Sequence, residues 1–143
     1  MDTQAEANPA AVIDRIQRAV NEHDLDALGA CFQVDYRSEQ PIHPDRAFRG
    51  REQMRNNWAQ IFGAVPDITA DVLRCAVDGD TVWAEWELRG ARRDGAKQVT
   101  AMVTIGGVQE GEFAWMRLYM EQMSTGEGID AAVRAGLRGD RAR

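Results

Sequence analysis

The chain has 143 residues, with 17 basic and 23 acidic side chains and a net charge of −6. That length suits a single domain spanning residues 1–143, with a core large enough to hold a pocket. The acidic balance argues against nucleic acid or an anionic membrane as partner, and no apolar run approaches the ~20 residues that cross a bilayer.

Residues 1–8 read as a frayed polar tail without the apolar stretch of a signal peptide. Asn8 is a helix-capping residue type and Pro9 suits a first helical position. Val12, Ile13, Ile16 and Val20 then recur at helical spacing, with Arg15, Arg18 and Glu22 turned outward. Asp24 caps a second, short helix that buries Leu25, Leu28 and Phe32. Tyr36 to Gln40 reads as a short strand stopped by Pro41 and Pro44. Gly50 precedes a third helix, Arg51 to Phe62, with Met54, Trp58, Ile61 and Phe62 on one side. Val65-Pro66-Asp67 breaks it and leads into a strand over Ile68 to Val77.

The second half alternates. Thr81 to Gly90 places Val82, Ala84, Trp86 and Leu88 on one face and Trp83, Glu85, Glu87 and Arg89 on the other. Phe113 to Met123 sets Ala114, Met116, Leu118 and Met120 against Trp115, Arg117, Tyr119 and Glu121. Gln98 to Val108 between them is rich in Val, Thr and Ile. A period of two with aromatic and β-branched residues marks strands. Asp78-Gly79-Asp80, Arg93-Asp94-Gly95 and Glu110-Gly111 supply hairpin turns. Ile129 to Leu137 is a last amphipathic helix before a charged, mobile end. Helices gathered on one face of a bent antiparallel sheet make an α+β architecture, with a cavity between sheet and helices. Cys31 and Cys75 lack metal or redox spacing, which predicts two reduced, buried thiols in a cytoplasmic protein.

Four stretches in this order resemble the SnoaL-like branch of the NTF2-like superfamily, the cone-shaped α+β barrels. They are Asn21-Glu22-His23-Asp24-Leu25-Asp26-Ala27-Leu28, Phe48-Arg49-Gly50-Arg51-Glu52, Phe62 to Asp67, and Glu110-Gly111-Glu112-Phe113 leading to Tyr119 and Glu121. Ketosteroid isomerases, limonene epoxide hydrolases and polyketide cyclases share that fold. The resemblance implies a curved, mostly antiparallel sheet wrapped around N-terminal helices. It names no reaction by itself.

Carried over residue by residue, the isomerases' general-base Asp falls on Gln40 and their oxyanion-hole tyrosine on Ile16. Their second acid falls near Met102 to Thr104, where no acid stands. An amide takes no proton from a carbon acid, and an alkyl group donates no hydrogen bond, so isomerisation by that mechanism is not expected. The epoxide hydrolases' last-strand Asp falls on Leu118. The cyclases' last-strand acid falls on Leu118 or Met116.

If the apolar face of the meander is concave, Trp86, Leu88, Met102, Met116, Leu118 and Met120 line a substrate-binding pocket that Met54 and Trp58 close. Methionines with two tryptophans suit a rearrangeable apolar cavity. Tyr36, Ser38 and Gln40 share the side of their strand that faces the cavity in relatives. His43, between two prolines at the strand's end, is a candidate acid or base. Arg92 follows Gly90 where related cyclases show a histidine, and is a candidate anchor for a negative oxygen. The rival reading inverts the sheet, so that Glu85, Glu87, Arg117, Tyr119 and Glu121 form a polar site.

Two function classes follow. The first is a small-molecule enzyme of cyclase, isomerase or hydrolase type, acting on a hydrophobic polyketide- or terpenoid-like substrate without cofactor or metal. His43, Tyr36, Gln40 and Arg92 would be its catalytic residues. The second is a non-catalytic binding or accessory protein that keeps the cavity and lacks the family's acids. Aromatic and charged residues on the outer sheet face predict a homodimer packed through it.

Overall fold

The computed structural model describes residues 8–138, so the expected frayed tail and the mobile end fall outside the described residues, apart from Asn8 and Arg138. Three helices come first among these residues: α1 (Ala11–Asn21), α2 (Leu25–Gly29) and, after two strands, α3 (Arg51–Ala64). The strands are β1 (Phe32–Glu39), β2 (Phe48–Arg49), β3 (Thr69–Asp78), β4 (Thr81–Ala91), β5 (Lys97–Gln109) and β6 (Glu112–Gln122). A last helix, α4, runs over Ile129–Arg138. The fold is α+β: one six-stranded sheet in the order β2-β1-β6-β5-β4-β3, antiparallel except where β1 runs parallel to β6.

Local chemistry explains most boundaries. Asn8 Oδ1 accepts from the Ala10 N–H at 3.0 Å, so its side chain holds the approach to α1 and the helix starts two residues past Pro9. Asp24 Oδ1 accepts from the Ala27 N–H at 3.0 Å and caps α2. Phe32, expected on that helix, instead opens β1, where it pairs with Phe113 of β6. The strand is longer than its alternation suggests because its first residues, Phe32 to Asp35, sit at an irregular register against β6.

The same irregularity recurs in β3 between Val72 and Arg74 and at the β5–β6 pair between Gly107 and Val108. An extra residue in one strand of a pair bends it and increases its twist. Together these bends curl the sheet around α1 and α3. Beside the β5–β6 irregularity, where Ala114 of β6 is the extra residue, a Cβ on Gly106 would lie 2.4 Å from the Phe113 ring, and one on Gly107 would lie 2.1 Å from Trp115 Nε1. The two aromatic rings therefore pack on opposite faces of β5 in the space of the missing side chains.

Val12, Ile13, Ile16, Ala19 and Val20 of α1 are buried against the concave face. Polar side chains tie the helix ends to the sheet. Asn21 bridges Ala70, accepting from its N–H at 2.7 Å and donating to its carbonyl at 3.1 Å. The His23 ring bonds the Ile68 carbonyl at 2.9 Å and stacks on Phe62 at 5.0 Å. Arg15 donates to the carbonyls of Gly111 and Ala30, and Arg51 to that of Phe32. Cys31 is buried as expected, but Cys75 is exposed, on the edge strand β3. No described helix is long and apolar enough to cross a membrane.

Candidate functional site

The curled sheet and α3 enclose a cavity of about 190 Å³. Its deep end is lined by Ile16, Val20, Leu28, Phe32 and Ala70. Its middle is walled by Tyr36 and Ser38 of β1, Met54 of α3, Trp86 of β4, Met102 and Thr104 of β5, and Met116 of β6. All of these are buried. Toward the mouth the half-buried Gln40, Phe48, Asn57, Trp58, Ile61, Leu88, Leu118 and Met120 complete it.

The strand period places these side chains. Trp86 faces Met102, which faces Met120; Thr104 faces Leu118; Ser38 faces Met116. Alternate residues of neighbouring strands share a face, so the Val82-Ala84-Trp86-Leu88 face is the concave one. Glu85, Glu87, Arg117, Tyr119 and Glu121 lie on the convex side, and the inverted reading is overturned. There Glu85 pairs with Arg74 at 2.7 Å, and Glu87 pairs with Arg89.

Two polar pairs are built into the wall. Trp86 Nε1 donates to Thr104 Oγ1 at 3.0 Å, with both residues buried. Tyr36 and Ser38, two apart on β1, are buried side by side in the cavity wall. Burial raises the Tyr36 phenol above its ordinary value, and the Ser38 hydroxyl pulls the other way. The phenol therefore keeps its proton at neutral pH and is a donor, not a base. At the mouth, Gln40 Oε1 accepts from Arg46 at 3.5 Å, and Asn57 Oδ1 accepts from Gln53 at 2.8 Å. Trp58 leans on Phe62 at 5.6 Å, which in turn stacks on His23.

None of the described residues lining the cavity is Asp, Glu, His, Lys or Arg. Of the residues singled out from sequence, Tyr36, Ser38, Gln40, Met54, Trp58, Trp86, Leu88, Met102, Met116, Leu118 and Met120 are brought together in it. His43 and Arg92 are not among the lining. His43 is exposed in the turn after β1, its N–H donating to the Gln40 carbonyl at 2.8 Å. Arg92 sits in the β4–β5 hairpin and pairs with Asp94 at 2.5 Å. The Ala96 N–H and the Arg92 guanidinium hold the Asp94 carboxyl below its ordinary value, so this pair is a turn clasp. Thr104 escaped the sequence reading. Counting two residues on from Met102 along β5 finds it, once Met102 is known to point inward. No group of His, Cys, Asp and Glu among the described residues is arranged to hold a metal.

A family model described as a SnoaL-like domain matches residues 13–138. No curated protein matches the chain. Among solved structures, an LEH-like epoxide hydrolase of M. tuberculosis aligns at 17% identity and TM-score 0.69, over 79% of this chain and 82% of its own. The epoxide hydrolase/cyclase-like enzyme of pyran ring formation in polyether salinomycin aligns at 21% identity and TM-score 0.70, over 84% and 93%. A protein of ketosteroid isomerase-like fold from Catenulispora acidiphila aligns at 18% identity and TM-score 0.67, over 76% and 83%. At these identities the likeness is one of fold.

Proposed function

The chain belongs to the SnoaL-like domain family, whose cone is a small-molecule, enzyme-type fold, and from that premise we propose that its cavity binds a neutral, hydrophobic, polyketide- or terpenoid-like molecule. One observation carries the reading: the lining holds no formal charge, and its sole titratable side chain, Tyr36, keeps its proton. An ionised ligand would enter without a counter-charge, and burying an unpaired charge is costly. An apolar ligand with one carbonyl or hydroxyl oxygen meets methionine and aromatic surface, with the Tyr36 phenol available to that oxygen.

The same lining favours a binding or accessory role over the acid–base reactions of the resemblance. Isomerisation needs a base at the carbon acid, and epoxide hydrolysis needs groups that hold and activate a water. No residue of the cavity does either. The second reading, a cyclase-type enzyme, rests on the Tyr36–Ser38 pair. A buried phenol backed by a hydroxyl polarises a carbonyl while the walls fold the chain. The proton acceptor would then be His43, three residues beyond the rim residue Gln40.

The test couples binding to turnover. Hydrophobic ligands should quench the emission of Trp58 and Trp86, and Tyr36→Phe should weaken an oxygen-bearing ligand about tenfold, the worth of one hydrogen bond. For the enzyme reading, His43→Ala should slow conversion of a bound polyketide-like substrate by ~10²–10⁴. Binding that survives with no conversion by the unaltered protein leaves the accessory role. Absence of any saturable quenching sinks both.

A further inference from the structure

Thr104 carries a hydroxyl proton that no described residue takes. Its Oγ1 accepts the Trp86 indole N–H at 3.0 Å, and among the described residues the hydroxyl donates to no acceptor. A hydroxyl has one proton and two lone pairs, so accepting from Trp86 leaves the proton unused. Thr104 is buried and lines the cavity. Buried polar groups in folded proteins are paired, so this proton calls for an acceptor inside the cavity.

A water molecule fits the place poorly, because a buried water needs ~2–4 polar partners. Thr104 faces Ala84 on β4 and Leu118 on β6, with Met102 and Gly106 two residues away on its own strand. The Trp86 N–H is already spent on the hydroxyl. A water here would have one partner.

The other hydroxyls of the wall stand on the far side of β6, which separates β1 from β5. Ser38 faces Met116, which faces Gly106, two residues from Thr104. Two strand spacings and one two-residue step put Ser38 and Thr104 on the order of 10 Å apart at the backbone. One oxygen bonds two hydroxyls only when they lie within ~5.6 Å of each other, two hydrogen bonds of ~2.8 Å. Tyr36 starts two residues farther along β1. Its ring packs on Phe32 at 4.7 Å and on Phe48 of β2 at 6.0 Å, which keeps it on the side away from β5. Even if one of the Tyr36 and Ser38 hydroxyls donates to the other, one proton of the two is left for the cavity.

We propose that the ligand of this cavity carries two hydrogen-bond-accepting oxygens at opposite ends, one met by Tyr36 and Ser38 and the other by Thr104. Its class is a diketone, keto-ether or similar dioxygenated skeleton. The inference rests on the reading of the pocket as a site for a neutral, hydrophobic molecule, and adds to it a second point of recognition. Trp86 is the positioning residue. Its N–H occupies a lone pair of the Thr104 oxygen and polarises the hydroxyl, which strengthens it as a donor. Met116 and Leu118 of β6 form the apolar floor between the two points. The ligand oxygens are then on the order of 5 Å apart, so the site selects their spacing as well as their number.

Calorimetric titration with three aryl ketones tests this. para-Isopropylacetophenone has one oxygen. para-Diacetylbenzene has nearly the same shape with an oxygen at each end, and ortho-diacetylbenzene has its two side by side. A second carbonyl loses its water on entering an apolar cavity, so without a donor the para diketone binds more weakly than the alkyl ketone. With Thr104 in place it should bind about tenfold more tightly than either the alkyl ketone or its ortho isomer, the worth of one hydrogen bond. Thr104→Ser should keep that advantage. Trp86→Phe/Thr104→Val, which leaves neither the hydroxyl nor a bare indole N–H, should abolish it, with circular dichroism to check folding. Should the double variant fail to fold, the two diketone isomers on the unaltered protein decide the matter, and equal binding of both overturns the inference. Saturable alkyl ketone binding with no advantage for the para diketone overturns it too, and leaves the pocket reading standing. So does an advantage that survives in the double variant. If none of the three ketones binds, the pocket reading falls and this inference with it.

Discussion

Thr104→Val removes the acceptor of the Trp86 indole while keeping the shape of the wall. Both residues are 2% exposed, and their bond spans 3.0 Å. Water cannot replace the lost partner without entering an apolar cavity, so the N–H is left buried and unpaired. That costs ~1–3 kcal/mol, the desolvation penalty of one orphaned group. At ~2–4 °C per kcal/mol for a domain near this size, the melting temperature should fall by ~4–8 °C at the middle of that range. Thr104→Ser keeps the oxygen and loses a methyl, at ~0.8 kcal/mol or somewhat more with its cavity. Thermal unfolding followed by near-ultraviolet circular dichroism separates the two, with urea midpoints as a check. The expected order of stability is Thr, then Ser, then Val. A valine variant as stable as the parent, with serine the weaker, would show that packing and not the hydrogen bond sets Trp86, and would refute the reasoning.

Gly106→Ala should cost more than Gly107→Ala: the first drives a Cβ into the buried Phe113 ring, the second into half-buried Trp115, which swings outward. Overpacking of this kind costs ~1–3 kcal/mol, read from urea midpoints. Tyr36 gives the parent a pH dependence that Tyr36→Phe should lack. Burial raises the folded-state value above the unfolded one, so its contribution is full below about pH 10 and fades as pH rises past it. Stability curves of the two proteins should run parallel from pH 6 to 9 and converge above 10; a constant gap across that range would contradict a buried, protonated phenol.

The parts of the fold legible in sequence were those with a strong local signal. Strands β4 and β6 alternate without interruption, and Asp24 announces α2. The face that would be concave was readable from Val82, Ala84, Trp86 and Leu88, because only that face is apolar. What failed was non-local. Phe32 carries no mark that it leaves α2 to pair with Phe113 some eighty residues later, and the parallel β1–β6 pairing has no turn to announce it. Thr104 looks like any strand threonine until the register of β5 fixes its direction. His23 and Asn21, part of the stretch that carries the resemblance, brace β3 through Ile68 and Ala70 and do not line the cavity. Arg92 and His43 had the chemistry of site residues, but a hairpin and a proline-bounded turn hold them outside the lining.

The most direct measurement of the central claim is a matched-ligand titration. Methyl naphthyl ketone and naphthoate share an aromatic body, and differ in whether the oxygen group is ionised at pH 7. A charge-free lining with a phenol donor predicts that the ketone saturates the quenching of Trp58 and Trp86. It also predicts that the carboxylate binds at least ~100-fold more weakly, a modest share of the cost of burying an unpaired charge. Equal or tighter binding of the carboxylate at the same tryptophans would contradict the account, since nothing described in the cavity wall could answer its charge.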